Sequence, residues 1–491
     1  MKTKDRNAAK ELYREMRDYS WPRLWEEEVP RFDAASSKER EKLVGIIRAV
    51  GVVFAESGAI EEKPKVQHWL SQLLQDPSEK VRRYAMAALP KIGADSKEEA
   101  TLLSALQTTT IDRERQFLRQ TIAKIGGQAA LEHGSLGDAE QKVKASMARR
   151  ENPSAVRTDA VLENVAEARI HLRGREGMER FISDEVTQKF RVAESRSGCV
   201  TLVPLGEFSL ADIYKLRCFD TMGFVLGNAT EDLAAVITSP LSRRLFEAFT
   251  AGALRYRLNF VGKGHQRAAV EQLANRVYAL CPEMINDGRS VTWTIDIHPN
   301  SVELRPNMTP DPRFSYRQKD VPAASHPPLA AALARLAGTV EHEVIWDPFC
   351  GSGLELIESA RLSAAPTVYG TDKSPDAVRI AQSNFASAKV KAVSANFICG
   401  DFREIAEKHF KPGAITLMIT NPPMGRRAPV GDLRSLMEEL FRIAGTLLKP
   451  GGRLVLVNPL SIKAPPSLRL QFQQKVDLGG FECRVEKYVH V

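Results

Sequence analysis

The chain has 491 residues, 43% hydrophobic and 26% charged, the composition of a soluble globular protein with room for two to four domains. No apolar run approaches the ~18 residues of a membrane span. The N-terminal MKTKDRNAAKELYREMRDY lacks the apolar stretch of a secretory signal. Six cysteines without a CxxC pair exclude a disulfide scaffold or zinc site, so a reducing cytoplasm and no metal are expected. A net charge of +8 admits an anionic partner such as nucleic acid without requiring one.

The first 135 residues predict helix after helix, over 5–28, 38–56, 64–76, 77–92, 97–108 and 113–125, with no strand. Apolar residues recur at three and four, as in Leu43, Ile46, Ile47, Val50 and again Leu70, Leu73, Leu74. Asp76 can cap a helix that Pro77 starts. Val81, Ala85 and Leu89 then share one face, and Gly93 can close the helix. This stretch resembles a HEAT repeat, with a weaker copy ending at Ile125-Gly126-Gly127. Such pairs stack because one pair alone cannot bury its apolar face. Trp21, Trp25 and Trp69 are expected to pack this all-α domain rather than to stack on bases.

Residues 136–164 read as a linker or loosely held helix, on Gly134, Gly137, scattered charges and Asn152-Pro153. From 165 to 318 strands and helices mix. Strands are expected at 168–172, 200–203, 221–226 and 255–260, helices at 177–189, 239–249 and 266–280, and a hairpin joins 291–297 to 301–304. Arg255-Tyr256-Arg257-Leu258-Asn259-Phe260 alternates basic and apolar, either a solvated edge strand or a basic surface. From 319 onward strand and helix alternate. A helix covers 329–336, strands fall at 343–346, 367–370, 396–399, 415–419 and 453–457, and a strand pair near 481–485 and 486–489 ends the sheet. Such alternation means a parallel, doubly wound α/β sheet that binds ligands at its strand C-termini.

The strongest chemical signal is Asp347-Pro348-Phe349-Cys350-Gly351-Ser352-Gly353, between a strand and a helix. Gly351 and Gly353 let the backbone pass close to a ligand. The dinucleotide fingerprint G-x-G-x-x-G fails at Leu356. Asp347 at the strand tip would repel a pyrophosphate but welcome a cation, which favours the amino and sulfonium groups of S-adenosylmethionine over NAD. Asp372 ends the second strand, nineteen residues after Gly353, where an acid can accept from both ribose hydroxyls. Asp401 ends the third and can accept from the adenine amine, with Phe402 against the ring. The fourth strand ends in Asn421-Pro422-Pro423-Met424. Its prolines hold the loop extended and lack donors. The Asn421 side-chain oxygen and the Pro422 carbonyl can each accept one N–H of an exocyclic amine and aim its lone pair at a methyl donor.

Together these residues resemble the class I S-adenosylmethionine-dependent methyltransferases with an N-P-P-Φ loop. Arg313-Phe314-Ser315-Tyr316-Arg317, Pro327-Pro328-Leu329-Ala330 and the Asp347–Gly353 loop narrow the resemblance to THUMP-domain RNA guanine-N2 methyltransferases, which act on tRNA or 23S rRNA. The resemblance implies a Rossmann-like methyltransferase domain over 319–491 and a ferredoxin-like, THUMP-like RNA-holding domain over 165–318. It leaves the HEAT-like domain over 1–135 outside the family plan. It implies that Asn421, Pro422, Pro423 and Met424 form the catalytic loop. Asp347, Phe349, Gly351, Gly353, Asp372, Asp401, Phe402 and Asn421 would hold S-adenosylmethionine, and Arg426, Arg427 and Arg317 would meet RNA. Met424 stands where many relatives have an aromatic, which weakens adenine N6 as the target more than guanine N2. His326 beside Pro327 either lines the site or supports it.

The expectation is methyl transfer to the N2 amine of a guanine in structured RNA. The N-terminal helices would offer a surface to a protein partner or to RNA, and no membrane is involved. The alternatives are adenine-N6 methylation of DNA or RNA, glutamine methylation of a protein, and an RNA-binding scaffold without catalysis.

Overall fold

The computed structural model describes residues 2–93, 96–133, 136, 139–163, 167–264, 266–322, 324–364, 366–424 and 432–491. They form two compact units, Met1–Pro153 and Ser154–Val491. In the first, five helices pack each on the next: Lys2–Met16, Ser37–Ser57, Glu79–Ile92, Asp112–Ile125 and Ala139–Glu151. Helices Lys63–Leu73 and Ser96–Thr108 pack beside this row. The apolar positions spaced at three and four supply the core, with Ile46, Ile47, Val50, Leu70, Val81, Ala85 and Leu89 all fully buried. Trp21, Trp25 and Trp69 join it, with ring centroids 5.2 and 5.9 Å apart along that series.

Three local expectations change. The helix read over 5–28 stops at Met16 and restarts at Trp21-Pro22, where proline is tolerated in a first turn. Asp76 does not cap at Pro77. Its carboxylate accepts from the Ser78 N–H at 2.8 Å and from Arg40 at 2.9 Å, and the helix begins at Glu79. The stretch read as a linker holds the helix Ala139–Glu151, which buries Val143, and two short strands, Ser154–Val156 and Val161–Leu162. Its few apolar positions, diluted by charge, concealed that packing.

The second unit is built on two large sheets, with two further two-stranded pairs; one core cluster runs through both large sheets and a second lies against the seven-stranded one. The first has eight strands in the spatial order Met284–Asn286, Leu254–Phe260, Trp293–Ile297, Val302–Pro306, Thr221–Gly227, Ile170–Arg173, Cys199–Pro204, Phe190–Arg196. The predicted hairpin forms, with Ile295 opposite Leu304. Leu254–Phe260 is not an edge: it lies between two parallel neighbours, and of its two arginines only Arg257 is exposed. Arg255 is buried against Asp287 at 3.2 Å, and Arg257 donates to Thr294 at 3.2 Å. The edge strands Phe190–Arg196 and Met284–Asn286 escaped prediction, and the helix read over 177–189 covers only Glu179–Asp184.

The second sheet holds seven strands: β1 (Val344–Asp347), β2 (Thr367–Asp372), β3 (Ser394–Cys399), β4 (Ile415–Thr420), β5 (Leu448–Asn458), β6 (Leu468–Asp477) and β7 (Glu482–His490). Their order is β3-β2-β1-β4-β5-β7-β6. The first five run parallel, and β7 is antiparallel to both β5 and β6. The predicted terminal pair is therefore one strand, β7, and its partner β6 was missed. Polar, largely exposed residues along β6 leave few apolar positions to mark it.

The eight-stranded sheet is organised around one buried acid. Glu303 is 2% exposed and accepts from Arg173 Nε at 2.9 Å, His171 at 2.7 Å and Ser301 at 2.7 Å. Burial alone would raise its pKa, but these bonds outweigh burial and hold it at about 2 against an ordinary 4.5. A depressed carboxyl stabilises the fold above the unfolded value and loses that stabilisation as pH falls toward the folded one. Glu303→Gln should destabilise this unit by about 3–5 kcal/mol at neutral pH. In thermal melts at fixed ionic strength, the deficit should shrink as the pH is taken down from 4.5 toward about 2.

Candidate active site

The glycine loop is shaped by backbone bonds to the neighbouring strand tip. Gly351 and Gly353 have φ of +50° and +84°, a region side chains resist. Phe349 N–H donates to Asp347 Oδ1 at 2.9 Å, Cys350 N–H to the Thr371 carbonyl at 2.8 Å and Gly351 N–H to Asp372 Oδ2 at 3.1 Å. Gly353 serves packing: a Cβ there would stand 3.2 Å from Ala381 Cβ on the helix Pro375–Ala388. Asn384 of that helix accepts from Gln318 N–H at 3.0 Å and donates to the Ser352 carbonyl at 3.0 Å, pinning the preceding segment to the loop.

A cleft of about 1410 Å³ opens over these strand ends. It brings together Phe349, Gly351, Asp372, Phe402, Asn421, Pro422, Pro423, Met424 and Arg317 of the predicted set. Phe349 and Phe402 stand side by side, ring centroids 4.9 Å apart. His326 lines it too, with Nδ1 3.5 Å from Asp220 Oδ1. Burial, then the charges of Arg175, Arg317 and Arg313, bring its pKa to about 4, so it is neutral at neutral pH.

Three predicted ligands lie elsewhere. Asp347 is fully buried and does not line the cleft, because its carboxylate shapes the loop from beneath. Gly353 is likewise behind the surface. Asp401 caps the helix Phe402–His409 through the Arg403 N–H at 2.9 Å and pairs with Lys373 at 2.8 Å and Arg403 at 3.1 Å. Those partners overcome its burial and hold its carboxyl below the usual range. Arg426 and Arg427 lie outside the described residues.

Four contributors were not foreseen. Glu355, only 3% exposed, lines the cleft one residue into the helix Leu354–Leu362. An acid within Leu354-Glu355-Leu356-Ile357 was the signal for it. Ser325 accepts from Asn421 Nδ2 at 2.9 Å, which turns Asn421 Oδ1 away from this bond; that oxygen is buried and has no partner among the described residues. Arg175 reaches the cleft from the loop after Ile170–Arg173. Asn384 is the fourth. No local pattern could announce contacts between such distant segments.

Parallel strands, a glycine loop and a ligand-sized cleft at the strand ends define a doubly wound α/β binding domain. Residues 315–476 match the family described as UPF0020: RMKL-like, methyltransferase domain. The chain is 32% identical over 165 residues to a tRNA (guanine(6)-N2)-methyltransferase of Thermus thermophilus, covering 32% of this chain and 48% of that protein. It is 26% identical over 179 residues to a tRNA (guanine(10)-N2)-dimethyltransferase of Methanocaldococcus jannaschii, covering 35% and 46%. The chain thus spans about half the length of these two curated relatives. The crystal structure of TrmN from Thermus thermophilus superposes with a TM-score of 0.51 at 20% identity, over 66% of this chain and 100% of that one, a likeness of fold. Among the described residues no helix is long and apolar enough to cross a membrane.

Burial, and the nearby Glu358, push the Glu355 carboxyl above its ordinary 4.5 against the opposing Ser325 hydroxyl. An acid raised on folding costs stability once pH exceeds its unfolded value. Glu355→Gln should therefore be as stable as wild type at acid pH and increasingly more stable above about 4.5, read from the melting temperature across pH.

Proposed function

We propose that the chain is an S-adenosylmethionine-dependent methyltransferase that acts on the exocyclic N2 amine of a guanine in tRNA or rRNA. The observation that carries this reading is Asn421 Oδ1, an unpaired buried acceptor at the mouth of a donor-free Pro-Pro loop. An unsatisfied buried oxygen costs free energy until something donates to it. An amine N–H is the donor that this loop would take, with the Pro422 carbonyl beside it as a second acceptor. Ser325 holds the amide in the required orientation.

The lining fits the methyl donor. Asp372 would accept from ribose hydroxyls, Phe349, backed by the buried Phe402, would offer the adenine an apolar surface, and the Gly351 loop admits close approach. Glu355 supplies the acid facing a cationic group that Asp347, beneath the loop, does not. When bound, S-adenosylmethionine supplies an electrophilic sulfonium methyl, and its transfer to the amine leaves S-adenosylhomocysteine and a proton. The protein's part is to present the nitrogen lone pair and exclude competing donors, and such positioning supplies up to ~7–11 kcal/mol. The volume of about 1410 Å³ exceeds the ~300–1,000 Å³ of an ordinary single-ligand pocket, so a splayed-out base fits beside the donor.

Residues 165–318 would hold the RNA as a ferredoxin-like, THUMP-like domain before the catalytic domain at 319–491. Arg317 and the foreseen Arg426 and Arg427 would meet phosphates. The helical region at 1–135 would be HEAT-like, and the compartment is the cytoplasm. The guanine-N2 activities named for the curated relatives support the choice of base.

Labelled S-adenosylmethionine and total RNA from a strain lacking the gene provide the test, with nucleoside analysis. N2-methylguanosine should appear. Asn421→Ala should cut it at least ~100-fold, the scale of losing one oriented polar group, while donor affinity changes little. Label in N6-methyladenosine, or in DNA or protein alone, would overturn the reading. Asp372→Ala should weaken donor binding by roughly 1.5–3 kcal/mol, the worth of one charged hydrogen bond, as measured by calorimetry.

A further inference from the structure

In the helical unit several arginines answer an acid: Arg40 pairs with Asp76, Arg82 with Glu114, Arg83 with Glu79 and Arg115 with Asp112. Six cations do not. Lys10, Arg14, Arg17, Arg48, Lys91 and Lys124 are exposed, and none has a carboxylate within ion-pair distance among the described residues. Their placement is ordered. Lys10 and Arg14 stand four apart on Lys2–Met16, and Arg17 follows in the turn just after it, its N–H bonded to the Tyr13 carbonyl at 3.0 Å. Arg48, Lys91 and Lys124 sit one each on Ser37–Ser57, Glu79–Ile92 and Asp112–Ile125, the next three helices of the packed row.

The cations are also mutually close. Arg14, Arg17, Lys10 and Arg48 border one shallow cleft of about 610 Å³, with Tyr13, Asp18 and Glu56. The Arg48 guanidinium lies 4.0 Å from the Tyr13 ring centroid. Lys91 is pushed below its usual range by burial and then by Arg48 and Lys124, with Glu56 opposing. Packed helices stand ~8–10 Å apart, so four of them carry this line of charge over roughly 25–30 Å.

We propose that this stripe is a second RNA-binding surface, which grips the phosphate backbone of the substrate RNA away from the methylated base. Unpaired like charges held in a row repel one another, and a polyanion of regular charge removes that repulsion while releasing counterions. The choice of RNA over another nucleic acid rests on the activity proposed above. The contacts are with phosphates, so the surface is indifferent to sequence.

The test is binding of labelled total tRNA to the full chain across a salt series. Charge reversal at Arg14→Glu, Arg17→Glu and Arg48→Glu together should weaken binding at least ~10-fold and lower the slope of log affinity against log salt by about two to three. The triple Lys variant R14K/R17K/R48K should keep the wild-type slope. Both should bind S-adenosylmethionine and melt as wild type does. An unchanged affinity and slope on charge reversal would overturn the proposal and leave the surface to a protein partner. RNA binding that depends on the stripe without methyl transfer would retain the surface and sink the enzyme reading. Methyl transfer with stripe-independent binding would do the reverse.

Discussion

Glu358 holds the second unit together. It is 2% exposed and receives both arms of Arg217, Nε and Nη2 at 2.7 Å each, together with the Tyr316 hydroxyl at 2.6 Å. Arg217 comes from the region of the eight-stranded sheet, and Glu358 from the helix behind the glycine loop. A fork-shaped bond of this kind fixes angle as well as distance. Arg217 also donates to the Arg313 carbonyl at 2.6 Å, and the neighbouring backbone N–H groups of Arg217 and Cys218 are accepted by Glu185, itself paired with Arg335 at 2.6 Å. Losing one partner would strand a charge in the core.

The connecting segment inherits its path from that joint. It leaves the first sheet at Pro306, passes Tyr316 at the ion pair, presents Arg317 to the cleft, is caught by Asn384 at Gln318 and then delivers Ser325 and His326. The wall of the site is thus made by residues between the two sheets, while its floor is made by the parallel strands. Ser325 is where wall and floor meet, since its hydroxyl sets the Asn421 amide. The floor is strained electrically: Asp347 and Glu355 are both buried and both raised. Such a concentration of unfavourable terms marks a place shaped for a ligand more than for stability.

Much of this was legible in the sequence because it is local. The middle of the glycine loop, Asp372 at the tip of β2 and the Asn421–Met424 turn each carry their meaning within a few residues, and all three line the cleft. What failed was non-local. An acid at a strand tip can face a ligand, fold under its own loop as Asp347 does, or cap the next helix as Asp401 does. The neighbours that decide, Phe349 N–H in one case and Lys373 in the other, come from loop geometry. Glu355 was overlooked for the converse reason, as an acid in a helix is usually solvated. β6 escaped because its outward residues are polar, and Arg255 looked like surface because Asp287, its buried partner, is thirty-two residues away.

Net charge conceals most when it is nearly balanced. An excess of +8 over 491 residues forecasts no positive field, and counting acids and bases along the chain finds none. Pairing changes the account. In the helical unit several acids are taken up by arginines, so the local charge depends on which groups are left without partners and not on the arithmetic excess alone. Helix packing then decides where that remainder goes, because residues on one face of successive helices fall into line. Three of the six lie at a helical spacing on or just past the end of the first helix, and the other three would look scattered in any linear reading, forty-odd and thirty-odd residues apart. Only the stacking of Lys2–Met16, Ser37–Ser57, Glu79–Ile92 and Asp112–Ile125 makes them one feature. Electrostatic surfaces of this kind belong to the tertiary fold even when every residue in them is individually unremarked.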